Sequence, residues 1–274
     1  MNWNNKSLFS LLLLALPVFS MGAGNVNADA GIGSVSKTEV IESSVLQEDR
    51  PLLIHLPKNY DVPGIQFPVL YILDAEQEDH FQRSVEVVES LVGRGELPNM
   101  IIVGIENTDR LSDMNALSFE FRGETIVGGA SKFLEFIEQE LVTFIDEKYR
   151  ASKFRILFGR SASATFSIFT MVSKPATFRA YIASSPSFFV NEELILSRTR
   201  EFFGSGNSVD RIFFMNLGTE DSAKRVEQTT AYANLLEEIA PSDFKWEMRV
   251  MSGEGHVPVT SMEDGLQMIF RNID

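Results

Sequence analysis

The sequence predicts an α/β domain: a mainly parallel central sheet with helices on both faces, led into by an antiparallel hairpin. Three observations carry this. Short β-rich runs recur along the chain, "FPVLYILD" at 67–74, "NMIIVGI" at 99–105, "FRILFG" at 154–159, "FRAYIAS" at 178–184, "RIFFMNLG" at 211–218 and "FKWEMRV" at 244–250. Most are continuously apolar, as strands buried on both faces are. Helical patterns separate them, and strand alternating with helix to the end of the chain implies parallel pairing through right-handed crossovers. Before this rhythm begins, "TEVIESSVL" and "PLLIHLP" within residues 37–57 alternate as a hairpin does.

Each helix follows from an apolar repeat of about 3.6 residues. Phe81, Val85, Val88 and Val92 keep one face of the first; Phe133, Phe136, Ile137, Leu141, Phe144 and Ile145 keep another. The apolar run after "GRSAS" fits a buried helix, residues 222–239 form the next around Val226, Ala233, Leu236 and Ile239, and Met262, Leu266, Ile269 and Phe270 mark the last. The stretch 106–130 carries no such repeat, and a loop that long in a compact domain is a candidate wall of a ligand pocket.

The first residues read as an address. Lys6 precedes the apolar core "LFSLLLLALPVF", which is short for a bilayer span and is followed by the small residues of "SMGAGNVNADA". Residues 1–30 are therefore expected to be a secretory signal peptide, cut after Ala23, Ala28 or Ala30, leaving one domain at 31–274 in the periplasm or outside the cell. No other segment is apolar enough for stable membrane insertion. The chain has no cysteine, which excludes disulfides, thiolate catalysis and cysteine metal sites, and its net charge of -14 disfavours nucleic-acid and anionic-membrane partners. Nothing in the pattern specifies an oligomeric state.

In parallel sheets ligands bind at the carboxyl ends of the strands, and the ionisable residues there form a set. Ser161 follows "FRILFG" on a sharp strand-to-helix turn, where its hydroxyl would stand above the sheet beside the backbone N–H of Ala162. Gly159 lets strand and helix approach, whereas Ser163 replaces the second glycine of a Gly-x-Ser-x-Gly elbow. Of three histidines, His55 lies inside an early strand and reads as structural, His80 follows the third strand near the site, and His256 occupies "SGEGHVPVTSMEDGL" after the last strand. Glu220 and Asp221 follow the penultimate strand. Serine, acid and histidine in that order, each at a strand end, can perform nucleophilic acyl transfer. Asp is the better cap for the helix starting at 222, which leaves Glu220 to orient His256, with Asp221 as the alternative acid.

"VLYILDAEQEDHF", "MIIVGIENTDR", "KFLEFIEQELVTFIDEKYR", "FRILFGRSASA", "FRAYIASSPSFF" and "GEGHVPV" resemble successive blocks of the esterase D-like "putative esterase" family of α/β-hydrolases, closest to its enterobactin-type siderophore esterases. The resemblance covers nearly the whole mature chain. It implies an α/β-hydrolase fold and a serine hydrolase of carboxylic esters, with Ser161 as nucleophile, His256 as base and an acid in "TED". Its implied oxyanion donors are the N–H of Ala162 and one in the loop after Asp74, at Ala75. A small-molecule ester is the implied substrate, with no metal and no organic cofactor. Two departures add bulk near the oxyanion hole: "GRSASA" stands where the family has "GHSxGG", and Ala75 where it has the glycine of "LDG".

Four residues are candidate substrate contacts. Arg160 either meets an anionic group of the substrate or pairs with a nearby acid, His80 lies near the site, and Phe119 and Phe121 either line the pocket or pack their loop. Arg110 and Asp113 are expected to pair with each other. The rival readings are a non-catalytic binding protein of the same fold and an acyltransferase, in which an alcohol intercepts the acyl-enzyme.

Overall fold

The computed structural model describes residues 35–77, 79–205 and 210–273; the leader assigned to residues 1–30 lies outside them. Strands β1 (Val35–Ser43) and β2 (Glu48–Leu56) form the antiparallel hairpin. Next come β3 (Phe67–Ile72), helix α1 (His80–Gly93), β4 (Ile101–Ile105), the short α2 (Arg110–Asp113), the strands β5 (Phe119–Phe121) and β6 (Glu124–Ile126), and α3 (Ala130–Phe136). A π-helical turn, Ile137–Leu141, joins α3 to α4 (Val142–Lys148), and the chain continues through β7 (Ala151–Arg160), α5 (Ala162–Ser173), β8 (Ala180–Ser184) and α6 (Glu192–Gly204). It closes with β9 (Ile212–Gly218), α7 (Ala223–Ile239), β10 (Lys245–Met251) and α8 (Ser261–Arg271).

The main sheet has the order β1-β2-β4-β3-β7-β8-β9-β10 and is parallel from β4 onward. Period-two alternation splits its side chains between two cores. Val69, Tyr71, Val103, Leu157, Tyr181 and Phe213 face α3 to α7, while Leu70, Ile72, Ile102, Ile156, Ile182 and Phe214 face α1 and α8. Both sets are desolvated, and this is why the strands read as unbroken apolar runs. β3 and β7 lie at the centre, so the turns that leave them sit near the middle of the sheet's carboxyl edge.

Two stretches held elements unseen in the sequence. Helix α6 fully buries only Ile195 and Thr199, too few for an apolar stripe, and 106–130 is not a bare loop but carries α2 and the β5–β6 hairpin. The expected Arg110–Asp113 pair does not form. Arg50, 1 % exposed, reaches across to Asp113 at 2.8 Å, donates to the Glu106 carbonyl, contacts Glu48 and lies over the Phe133 ring, while Arg110 binds Asp74 instead. Burial outweighs the Arg50 hydrogen bond and raises the Asp113 pKa above its ordinary value.

Arg50→Met should therefore leave Asp113 buried without its cation and cost about 3–5 kcal/mol, measured by chemical denaturation. Adding Asp113→Leu should recover most of that loss.

Candidate active site

β7 ends at Arg160 and α5 begins at Ala162, so Ser161 alone makes the turn. Its backbone lies at φ 59°, ψ −120°. That region is unfavourable for a residue with a side chain, at about 1–3 kcal/mol, and persists only where the surroundings impose it. Here they do: Ser161 N–H donates to the Ser184 carbonyl at 2.9 Å, and its own carbonyl accepts from Ser187 at 3.0 Å and Thr165 at 3.3 Å. Three backbone bonds hold the side chain up above the sheet. The hydroxyl makes no hydrogen bond among the described residues.

The glycine before this turn is obligatory, since a Cβ on Gly159 would stand 2.1 Å from the Ser163 carbonyl oxygen. Ser163, at the departure from the family pattern, is not idle bulk. It is completely buried, its Oγ accepts from Arg160 N–H at 2.9 Å, and its proton lies between Asp74 Oδ2 at 2.9 Å and the Arg160 carbonyl at 2.8 Å.

Asp74, also fully buried, ends the strand segment that precedes the opposite lip of the site. Besides Ser163 it binds Asn107 Nδ2 at 2.7 Å and the Arg110 guanidinium at 2.9 and 2.8 Å. Its positive φ of 60° turns the chain so that Ala75 N–H donates to the Ile105 carbonyl at 3.1 Å. The expected oxyanion donor Ala75 is thus already committed to a backbone partner. Among the described residues, the N–H groups of Glu76 and of Ala162, the first residue of α5, hold no partner.

The carboxylate that meets His256 is the alternative, Asp221, and not Glu220. His256 Nδ1 meets Asp221 Oδ2 at 2.9 Å, whereas Glu220 is exposed and among the described residues is held only through its backbone N–H, which donates to the Glu254 carbonyl at 2.9 Å. Ser222 occupies the cap position of α7, with Asp221 one residue before it. Asp221 Oδ1 accepts from Ser222 N–H and from Arg225, leaving Oδ2 for the imidazole. Burial alone would raise the pKa of Asp221, but the hydrogen bonds from His256, Ser222 and Arg225 outweigh it and hold the carboxyl below its ordinary range.

Two loops make this meeting possible. A Cβ on Gly218 would stand 2.1 Å from the Glu254 carbonyl oxygen, so the glycine lets the histidine loop dock against the end of β9. Thr219 N–H then donates to Met251 and Gly253 N–H to Thr219 Oγ1. Val257, β-branched yet at φ 60°, donates its N–H to Ser185 Oγ at 3.1 Å. Ser161 and Val257 therefore both hang on the 184–187 turn, which brings His256 to the elbow.

The other candidates divide. Arg160 has no carboxylate partner among the described residues; its guanidinium donates to Gln77 Oε1 at 2.8 Å. His80 is buried, with Nδ1 3.1 Å from the Asp74 carbonyl. Phe119 is buried and packs edge-on against Phe189 at 5.2 Å, while Phe121 is partly exposed on the same hairpin. His55 is structural, bridging Ser36 and Glu89. Sequence reasoning missed Asn107, Arg110 and Ser163 as partners of Asp74; the one signal was a charged residue ending an apolar run. Gly159→Ala should cost roughly 3 kcal/mol, read as a lowered denaturation midpoint, because neither backbone at the elbow can retreat.

Residues 43–258 match the family described as "Putative esterase". The ferri-bacillibactin esterase BesA of Bacillus subtilis (strain 168) is 28% identical over 252 residues, 82% of this chain and 86% of that protein. An IroE-like serine hydrolase from Shewanella oneidensis superposes with a TM-score of 0.80 at 26% identity, covering 87% of this chain and 82% of the other. The BES protein from Bacillus cereus superposes at 0.75 with 23% identity, covering 85% and 94%, and supports the fold. With a family match across most of the chain and the same α/β-hydrolase architecture, the chain belongs to the "Putative esterase" family of carboxylic-ester hydrolases.

Proposed function

We propose that this esterase cleaves its substrates through Ser161, His256 and Asp221 by way of an acyl-enzyme. The observation that carries the reading is the Asp221–His256 hydrogen bond, formed by two loops that dock beside the strained Ser161 turn. Asp221 fixes the tautomer with the proton on Nδ1, which leaves Nε2 to accept the Ser161 proton as Oγ attacks the ester carbonyl. The serine–histidine contact closes when substrate enters, as catalytic hydrogen bonds commonly do. Ala162 and Glu76 N–H groups stabilise the oxyanion. The tetrahedral intermediate expels the alcohol, which takes the proton from His256. Water, deprotonated by the same imidazole, then attacks the acyl-serine, and the imidazolium returns its proton to Ser161 Oγ as the acid leaves.

The similarity to a ferri-bacillibactin esterase supports a siderophore-type ester as substrate. Arg160, a half-buried cation beside the nucleophile with no carboxylate partner among the described residues, favours esters with an anionic group. Export through the leader at residues 1–30 belongs to the same proposal and is tested by sequencing the N-terminus of the protein recovered from periplasm or medium.

Ser161→Ala should abolish hydrolysis of 4-nitrophenyl acyl esters and siderophore lactones and block labelling by a fluorophosphonate, with an unchanged circular-dichroism spectrum. Labelling of wild type without hydrolysis, but with acyl transfer to added alcohol, would identify an acyltransferase instead. Asp221→Asn should cut kcat on the order of ten-thousandfold, the loss expected when a triad acid becomes an amide, while Glu220→Gln stays within severalfold of wild type. The reverse order would reinstate Glu220. Because the Asp221 pKa is lowered in the fold, its stabilisation is complete above the unfolded carboxylate value and is lost as pH falls through the folded one. The stability cost of Asp221→Asn should accordingly shrink from about pH 7 to about pH 2.

A further inference from the structure

A cavity of about 220 Å³ opens beside the elbow between α1, β7 and the histidine loop. Its walls include Val87, Phe158, Val257 and Met262, and its polar members are His80, Arg83, Ser84, Arg160 and Ser261. It is smaller than the sites that enclose a whole drug-sized ligand, so its size suits one arm of a larger molecule. Arg160 and Val257 are the chain neighbours of Ser161 and His256, which places that arm next to the reacting bond.

The polar groups are not equivalent. Ser84 Oγ has spent its proton on the His80 carbonyl, and Ser261 Oγ donates to Pro258 while accepting from Ser184 and Asn216. Arg83 is largely exposed and faces Asp79. His80 differs. At 6 % exposure it is enclosed, and its Nε2 is buried without a hydrogen-bond partner among the described residues. Nδ1 lies 3.1 Å from the Asp74 carbonyl, and since a carbonyl only accepts, Nδ1 carries the proton. Burial first, and the Arg160 charge second, lower the pKa of the ring and favour its neutral form. Nε2 is then a lone pair with no donor, and a buried unpaired acceptor costs about 1–3 kcal/mol until something satisfies it.

We propose that this cavity is a subsite for a hydroxyl-bearing arm of the ester, the hydroxyl donating to His80 Nε2 and its compact apolar body lying on Phe158, Val87 and Met262. Arg160, at the mouth nearest the nucleophile, accommodates an acceptor on the same arm. A purely apolar arm of equal size would leave Nε2 unpaired, so the subsite selects for the hydroxyl by the same asymmetry that lets a site built for a hydrogen bond reject the analogue lacking it. The inference rests on the esterase reading of Ser161 and adds a preference within it.

Binding is tested apart from turnover. Protein carrying Ser161→Ala and ¹⁵N-labelled histidine is titrated with phenol and, separately, with toluene. Phenol should shift one Nε2 resonance upfield in a saturable way, that resonance being assigned to His80 by its loss in His80→Phe, and toluene should not. No saturable shift with phenol, or an equal one with toluene, overturns the proposal.

Turnover is read with two matched pairs: 4-nitrophenyl 3-hydroxybutyrate against the butyrate, and 2-hydroxyethyl butyrate against propyl butyrate. In His80→Phe one of the two kcat/KM ratios should fall about tenfold, whatever happens to the unsubstituted ester, the worth of about one hydrogen bond. His80→Gln, whose amide oxygen accepts at similar reach, should return part of it. Neither ratio moving would overturn the subsite. Absence of hydrolysis by wild type would sink the triad instead and leave the titration to decide the cavity.

Discussion

The buried carboxylate of Asp74 is the constraint on which the site depends. It sits at the carboxyl end of the central strand pair and receives hydrogen bonds from Ser163 on α5, the helix after Ser161, and from Asn107 and Arg110 beyond β4. An ion desolvated to that degree is tolerable only when almost every lone pair is engaged, so the three segments hold one arrangement or the charge is stranded. Asp74 thereby sets the distance between the elbow and the opposite lip, and its carbonyl positions the His80 ring. A hydroxyl replaces the family's glycine at position 163 with no penalty of unpaired polarity, because Asp74 and Arg160 use it.

What could be read from the residues was local. The strand runs are continuous because both faces of the sheet are covered; Ser161 stood out just beyond such a run, and His256 in the loop between the last strand and the last helix. Relations between distant segments were not readable. Ser163 and Asp74 lie 89 residues apart and Arg110 and Asp74 lie 36 apart, and neither pairing leaves a periodic trace. The local expectation that Arg110 would pair with Asp113 lost to partners with better burial.

That Asp221 rather than Glu220 meets His256 has a more specific cause. The expectation gave the cap of α7 to Asp221, yet Ser222 holds it, and Asp221 offers one oxygen to Ser222 N–H and Arg225 and the other to His256. Helix and imidazole share one short side chain, and that fixes its rotamer better than either would alone. For Ala75 the error lay in backbone direction: the left-handed turn at Asp74 points the N–H back at Ile105, something residue identity does not encode.

Ser161 and His256, the proposed nucleophile and base, are anchored with unequal security. Ser161 follows a strand with neighbours on both sides, whereas His256 hangs from the loop after β10, an edge strand whose residues are mostly only partly covered. Edge elements open at lower free energy than the centre of a sheet. Heating should therefore loosen the loop that carries the proposed base before the sheet melts, and the margin by which inactivation precedes melting is then set by the last strand.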